Sequence, residues 1–221
     1  MASINFTPLY GVQSDIRCCC YLLEIDEVCI LLDCGWTEEY DIELLSPLHR
    51  IASRVDLVLI SHGDLYHMGA LPYLINIIGP KVPIYGTLPT FRMGQIMLYD
   101  AFQAATKNTL FSAFDLDNID AVCERFHQLK YSEKLTLTSS GEGIVITPHC
   151  AGHIIGGSLW KIAKETDEIV YAVNYNHRTE HVLSKSVIDT LTRPTVLITD
   201  SMKWESEQPK LKDRDSKVRT L

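Results

Sequence analysis

Val55 to Pro72 reads VDLVLISHGDLYHMGALP. The apolar run Val55 to Ile60 has the length of a fully buried strand. It leads into Ser61-His62-Gly63-Asp64-Leu65-Tyr66-His67 and closes on Gly69-Ala70-Leu71-Pro72. Two imidazoles and a carboxylate thus follow the C-terminal end of one strand. Open α/β sheets gather their ligand sites at that edge.

Working outward, Ile4 to Tyr10 reads as a first strand ended by Gly11. Cys18 to Ile25 and Val28 to Asp33 read as a hairpin turning at Asp26-Glu27. Glu38 to Leu45 has a short helical pattern. Ser46-Pro47 looks like a cap and first-turn proline, opening a helix to about Ser53. Met68 to Ile78 has helical periodicity and stops at Gly79-Pro80. Val82 to Tyr85 is a short strand. Thr90 to about Lys107 predicts a long helix with Met93, Ile96, Met97 and Phe102 near one face. Asp117 to His127 predicts another, capped by Asp117. Four strand-like runs follow: Lys134 to Thr138, Gly143 to Pro148, Ser158 to Ala163 and Glu168 to Val173. Ser186 to Leu191 is weakly helical, and Val196 to Thr199 is a last strand ending at Asp200. Strands come first and then mix with helices, which predicts an αββα sandwich of the α/β class.

The chain has 221 residues, 46% of them hydrophobic, and a net charge of −8. That is enough for a sizeable core. The acidic balance argues against this domain clamping a phosphate backbone by itself. The seven cysteines (Cys18, Cys19, Cys20, Cys29, Cys34, Cys123 and Cys150) include no C-x-x-C pair, and several sit in apolar runs. A reduced intracellular protein is expected. No signal peptide is read at the start, and no apolar stretch is long enough to cross a bilayer, so no membrane partner is expected. Residues 1–200 are read as one domain and 201–221 as a charged connector or tail.

Five strand ends or loops carry polar residues after apolar runs. They are Asp33, the His62 to His67 loop, His153, Asn174 and Asp200. Loops at one edge of a sheet converge, so these read as one site. Gly156-Gly157 lacks a following Gly-Lys-Ser/Thr and reads as a turn. Cys18 to Cys20 read as core, with Cys19 facing opposite to the other two. Nothing around Ser61 or Ser158 marks a nucleophile elbow. His177, Arg178 and Lys203 read as solvated surface.

In order and spacing these motifs resemble the N-terminal part of the β-CASP nucleic-acid-processing group of the metallo-β-lactamase fold. That group's loop runs His-x-His-x-Asp-His and, in RNA-cleaving members, continues Gly-Ala-Leu-Pro. Asp33, Ala151-Gly152-His153 and Asp200 match its other site segments. The resemblance implies a chain that stops before an inserted β-CASP domain. Asp64 stands at the second histidine of the loop, Tyr66 at its aspartate and Asn174 at the aspartate that bridges two metals. Leu-Leu-Asp-Cys-Gly-Trp, Ala-Gly-His-Ile-Ile-Gly-Gly and Tyr-Asn-His-Arg bring the resemblance to a branch of non-catalytic subunits in pre-mRNA 3′-end processing.

The substitutions have chemical consequences. A two-zinc hydrolase needs anionic or imidazole ligands around both ions and a bridge between them. A phenol titrates near pH 10, and an amide offers only a neutral oxygen better suited to hard ions. No catalytic residue, metal or cofactor is therefore expected. His62, Asp64 and His153 remain as a set that could hold a single zinc. The reading is a pseudoenzyme of the 3′-end cleavage and polyadenylation complex in the nucleus. The resemblance implies a catalytic metallo-β-lactamase/β-CASP endonuclease subunit, a symplekin-like scaffold and other 3′-processing factors as partners, with pre-mRNA in the complex. The alternative is a metal-dependent RNA endonuclease with a degenerate one-metal site. An exposed sheet edge is expected where later strands would complete the sandwich.

Overall fold

The computed structural model describes residues 2–12, 17–79, 81–108, 111–138 and 141–200, the side chain of Asn108 excepted. The charged stretch 201–221 lies outside them. Six strands form the first sheet: β1 (Ile4–Tyr10), β2 (Cys20–Ile25), β3 (Val28–Leu32), β4 (Leu57–Leu59), β5 (Ile84–Gly86) and β6 (Phe126–Gln128). Strands β1 to β3 are antiparallel, and β3 to β6 run parallel. The second sheet orders β11 (Val196–Thr199), β10 (Asp167–Ala172), β9 (Ser158–Lys164), β8 (Ile144–Cys150) and β7 (Leu135–Thr136). Its neighbours are antiparallel except for the parallel pair β10 and β11.

Period-two alternation divides the core in two. Leu31, Val58, Ile60 and Ile84 face the helices. These are α1 (Ser46–Ile51), α2 (Leu65–Met68), α3 (Leu71–Ile78), α4 (Leu88–Asn108) and α5 (Leu116–Arg125). Leu23, Ile25, Ile30, Leu32, Leu57 and Leu59 face the other way and pack on Ile146, Trp160, Ile162, Ile169 and Tyr171 of the second sheet. The cysteine run obeys the same rule. Cys18 and Cys20 join the helical side, and Cys19 joins the inter-sheet side. The outer face of the second sheet is covered by Ile188 and Leu191, around a 3-10 turn at Ile188–Thr190.

Several boundaries differ from the sequence reading. The helix expected over Met68 to Ile78 is two, α2 and α3, broken at Gly69-Ala70, where Ala70 N–H donates to the Cys34 carbonyl (2.9 Å). Asp115, not Asp117, caps α5: its carboxylate accepts from Asn118 N–H while the Asn118 side chain accepts from Asp115 N–H. That reciprocal box sets the helix start two residues earlier. The helix also stops at Arg125, because Phe126–Gln128 pairs with β5 as a strand. Around Glu38 to Leu45 only a 3-10 turn forms, Glu43–Leu45. Ser46 lies inside α1, whose N-cap is Leu45 without a side-chain bond. Among the described residues β11 is the outermost strand of its sheet, with Leu197 half exposed.

Candidate functional site

The ends of β3, β4, β8, β10 and β11 meet, as the strand-end reading expected. Asp33, one residue past β3, is fully buried in a left-handed backbone conformation (φ 57°), which aspartate tolerates better than most residues. Its Oδ1 accepts Ser61 N–H (2.7 Å). Its Oδ2 accepts the Ser61 hydroxyl (2.6 Å) and the Tyr171 hydroxyl (2.6 Å). Tyr171 belongs to the second sheet, so Asp33 ties the two sheets together. Burial pushes its carboxyl above the ordinary range, although His67, Ser61 and Tyr171 oppose that shift.

Ser61 passes this order on. Its hydroxyl hydrogen points to Asp33, so its oxygen accepts Nδ1–H of His62 (2.9 Å). The fully buried His62 is thereby fixed with a bare Nε2, and that atom has no hydrogen-bond partner. A side chain at Gly157 would press against it, since a Cβ there would lie 2.9 Å from Nε2. Burial first, then the neighbouring His67, hold the His62 ring well below its usual pKa.

His67 has both ring nitrogens engaged. Nδ1 lies 2.7 Å from Oδ1 of Asp64, and Nε2 lies 2.9 Å from the Asn174 amide. Asp64 also caps α2, accepting Tyr66 N–H (3.0 Å) with the same oxygen. Asn174, again left-handed (φ 47°), donates its backbone N–H to Oδ2 of Asp200 (2.6 Å). The His62 ring centre stands 4.7 Å from that of His67 and 5.9 Å from that of His153. Seven of the eight positions singled out in the sequence are therefore gathered here. The eighth, Tyr66, turns outward and donates to Oε1 of Glu38 (3.0 Å). Sequence reasoning missed Ser61 and Tyr171. Their signals were position alone: Ser61 directly follows an apolar run, and Tyr171 shares the inward face of β10 with Ile169.

Burial by itself would keep His67 neutral, but its hydrogen bonds to Asp64 and Cys19, with the charge of Asp33, raise its pKa well above normal. Burial would likewise raise Asp64, yet the His67 hydrogen bond and charge lower it. A raised histidine stabilises the fold fully below its unfolded value near pH 6.5 and loses that contribution as pH rises through the folded value. A lowered carboxyl contributes above its unfolded value near 4 and loses the contribution in acid. The pair thus stabilises best in a window from weakly acidic pH up to the raised His67 value. His67→Gln should cost more stability at about pH 6 than at about pH 9.5 in urea titrations. An equal loss at both would show that the pair does not titrate this way. When Nε2 is protonated, the Asn174 amide turns its oxygen toward the ring.

A metal pair does not fit this donor set. His67 has no nitrogen to spare, Asp64 is turned to His67, Asp200 holds the Asn174 backbone, and Asn174 is a neutral amide. The Tyr66 phenol faces Glu38, which raises its pKa further. His62, Asp64 and His153 do not converge as a one-ion set either. Among the described residues no three His, Cys, Asp or Glu side chains are placed to hold an ion.

Two mixed sheets with helices packed outside the first, and a site at five strand ends, define a metallo-β-lactamase-type domain. The family model described as "Metallo-beta-lactamase superfamily domain" matches residues 22–198, and the chain belongs to that superfamily. It is 46% identical over 202 residues to the probable cleavage and polyadenylation specificity factor subunit 2 of Drosophila melanogaster, covering 91% of this chain and 27% of that protein. The Arabidopsis thaliana subunit 2 is 45% identical over 199 residues, 90% of this chain and 27% of that protein. Cleavage factor two protein 2 of Schizosaccharomyces pombe is 32% identical over 212 residues, 92% and 25% respectively. The chain thus spans about a quarter of the length of the curated relatives it matches. The metallo-β-lactamase fold protein YhfI from Bacillus subtilis superposes with a TM-score of 0.54 at 17% identity, over 88% of this chain and 70% of that one. That likeness speaks to the fold alone.

Proposed function

We propose that this domain is a non-catalytic, nuclease-like module of a pre-mRNA 3′-end cleavage and polyadenylation complex in the nucleus. It acts as a structural partner of a catalytic metallo-β-lactamase/β-CASP endonuclease subunit and of a symplekin-like scaffold. One observation supports the reading: Nε2 of His67, the nitrogen opposite the one Asp64 holds, is taken by the neutral Asn174 amide. A site that hydrolyses phosphodiesters with metal-activated water needs that nitrogen on an ion. Relatives named as subunits of the cleavage and polyadenylation factor support the assignment to that complex.

A second reading has one point in its favour, the bare Nε2 of His62. It makes the domain an RNA endonuclease with a single ion. Elemental analysis and an RNA cleavage assay on the purified chain separate the two. The proposal expects no stoichiometric zinc, no cleavage, and co-purification with the catalytic subunit. Zinc-dependent cleavage that disappears in Asp64→Ala or His153→Ala would overturn it.

A further inference from the structure

The long helix expected from Met93, Ile96, Met97 and Phe102 turns a different face inward. Phe91, Leu98, Ala101 and Ala105 are the buried side of α4, while Met93 and Ile96 stand 59% and 70% exposed. Ile96 is the centre of a row at four-residue spacing: Leu88, Arg92, Ile96, Asp100 and Ala104, every one of them exposed. Such a row runs along one side of a helix, with about 6 Å between successive members. Its chemistry is apolar, positive, apolar, negative, apolar. The guanidinium of Arg92 stands 5.3 Å from the Phe91 ring centre, and among the described residues neither Arg92 nor Asp100 forms an ion pair.

We infer that this row is the contact face for a second copy of the same chain, the two α4 helices lying antiparallel across a two-fold axis at Ile96. The inference goes beyond the function proposed above and does not depend on it. The charge pattern selects the occupant. Turned end for end, the row matches itself: Ile96 meets Ile96, Arg92 meets Asp100 on each side of the axis, and Leu88 meets Ala104 beyond them. A two-fold contact has to be self-complementary in this way. A parallel pair would instead set Arg92 on Arg92 and Asp100 on Asp100, which repel. Two further apolar side chains widen the patch. Met93 follows Arg92 round the helix. Ile155, 63% exposed, is fixed beside the helix start, because the carbonyl of the next residue, Gly156, accepts the hydroxyls of Thr87 (2.7 Å) and Thr90 (2.9 Å). Leu88, Met93, Ile96 and Ile155 fall short of what a permanent interface buries, about 800 Å² per partner. The dimer is therefore weak and concentration-dependent, and the matched charges set its register more than its strength.

Sedimentation of the full 221-residue chain from about 5 to about 500 µM, in about 0.15 M salt, reads the association. Wild type should pass from monomer to dimer over that range. Ile96→Glu should weaken the association at least about 10-fold, because it sets a carboxylate against its own image. Arg92→Asp and Asp100→Arg, each alone, should stay monomeric, since each brings like charges together. Mixed in equal amounts, the two single variants should pair with one another, followed through a fluorescent label on one of them. The double variant carrying both changes should recover the wild-type dimer. All the substituted residues are exposed, so circular dichroism and melting should be unchanged. A wild-type chain that stays monomeric throughout the range overturns the inference and leaves this face to a different partner. A dimer indifferent to these substitutions overturns it too, by placing the contact elsewhere, the edge of β11 included. Failure of the two single variants to pair, where wild type dimerises, overturns it as well.

Discussion

Gly35→Ala is expected to cost at least about 4 kcal/mol, or to prevent folding altogether. A Cβ at this position would lie 1.7 Å from the Tyr66 carbonyl oxygen and 2.3 Å from its carbon. Both are backbone atoms and cannot rotate away. The same carbonyl accepts Cys19 N–H (2.8 Å), while Gly35 N–H donates to the Cys19 carbonyl (2.9 Å). Cys34 N–H and Trp36 N–H meanwhile donate to His67 and Leu65. Any retreat from the methyl therefore pulls apart the seam joining the start of β2, the end of β3 and the histidine loop. Trp36, fully buried next door against Tyr40, Tyr73, Phe111 and Phe114, transmits the shift to the helical core. Urea denaturation followed by circular dichroism measures the effect. A loss below about 1 kcal/mol would mean the seam gives way far more easily than this packing allows.

Asp33→Ala should be almost as damaging, at about 3–5 kcal/mol. It strands the Ser61 amide and the Tyr171 hydroxyl in a fully buried place, each without an acceptor. It also removes the constraint that sets the Ser61 hydroxyl and, through it, the His62 tautomer. Tyr171→Phe deletes only one donor and leaves Asp33 two others, so about 1–2 kcal/mol is expected there. If the aspartate variant lost no more than the tyrosine variant in matched denaturation curves, the network would be a set of independent bonds.

The strand-end residues were legible because Asp33, Asn174 and Asp200 end strand-like runs, His62 stands one residue beyond another, and His153 lies in the loop after a fifth. The inner and outer faces of Cys18 to Cys20 followed from strict alternation. Other features depended on partners distant in the chain. The strand Phe126–Gln128 is only three residues long and exists because β5 offers it an edge, so it read as helix end. The break between α2 and α3 is imposed by the Cys34 carbonyl, 36 residues before Ala70, which no local pattern reports. Tyr66 reads from its chemistry as a phenol ill suited to a metal, but nothing local reports that its ring leaves the site for Glu38. Ser61 was weighed only as a nucleophile, whereas its work is to relay orientation between two other side chains.

Strand β3 has a consequence for how the molecule comes apart. Leu31 is part of the helical core, while Ile30 and Leu32 on either side of it belong to the core between the sheets. Both halves of the interior thus lean on a single five-residue partition. Neither the helices nor the second sheet can peel away without exposing one face of that partition, so denaturation of either half drags the other with it. The described part of the chain should behave as one cooperative unit, in which damage on one side is felt at the site on the other.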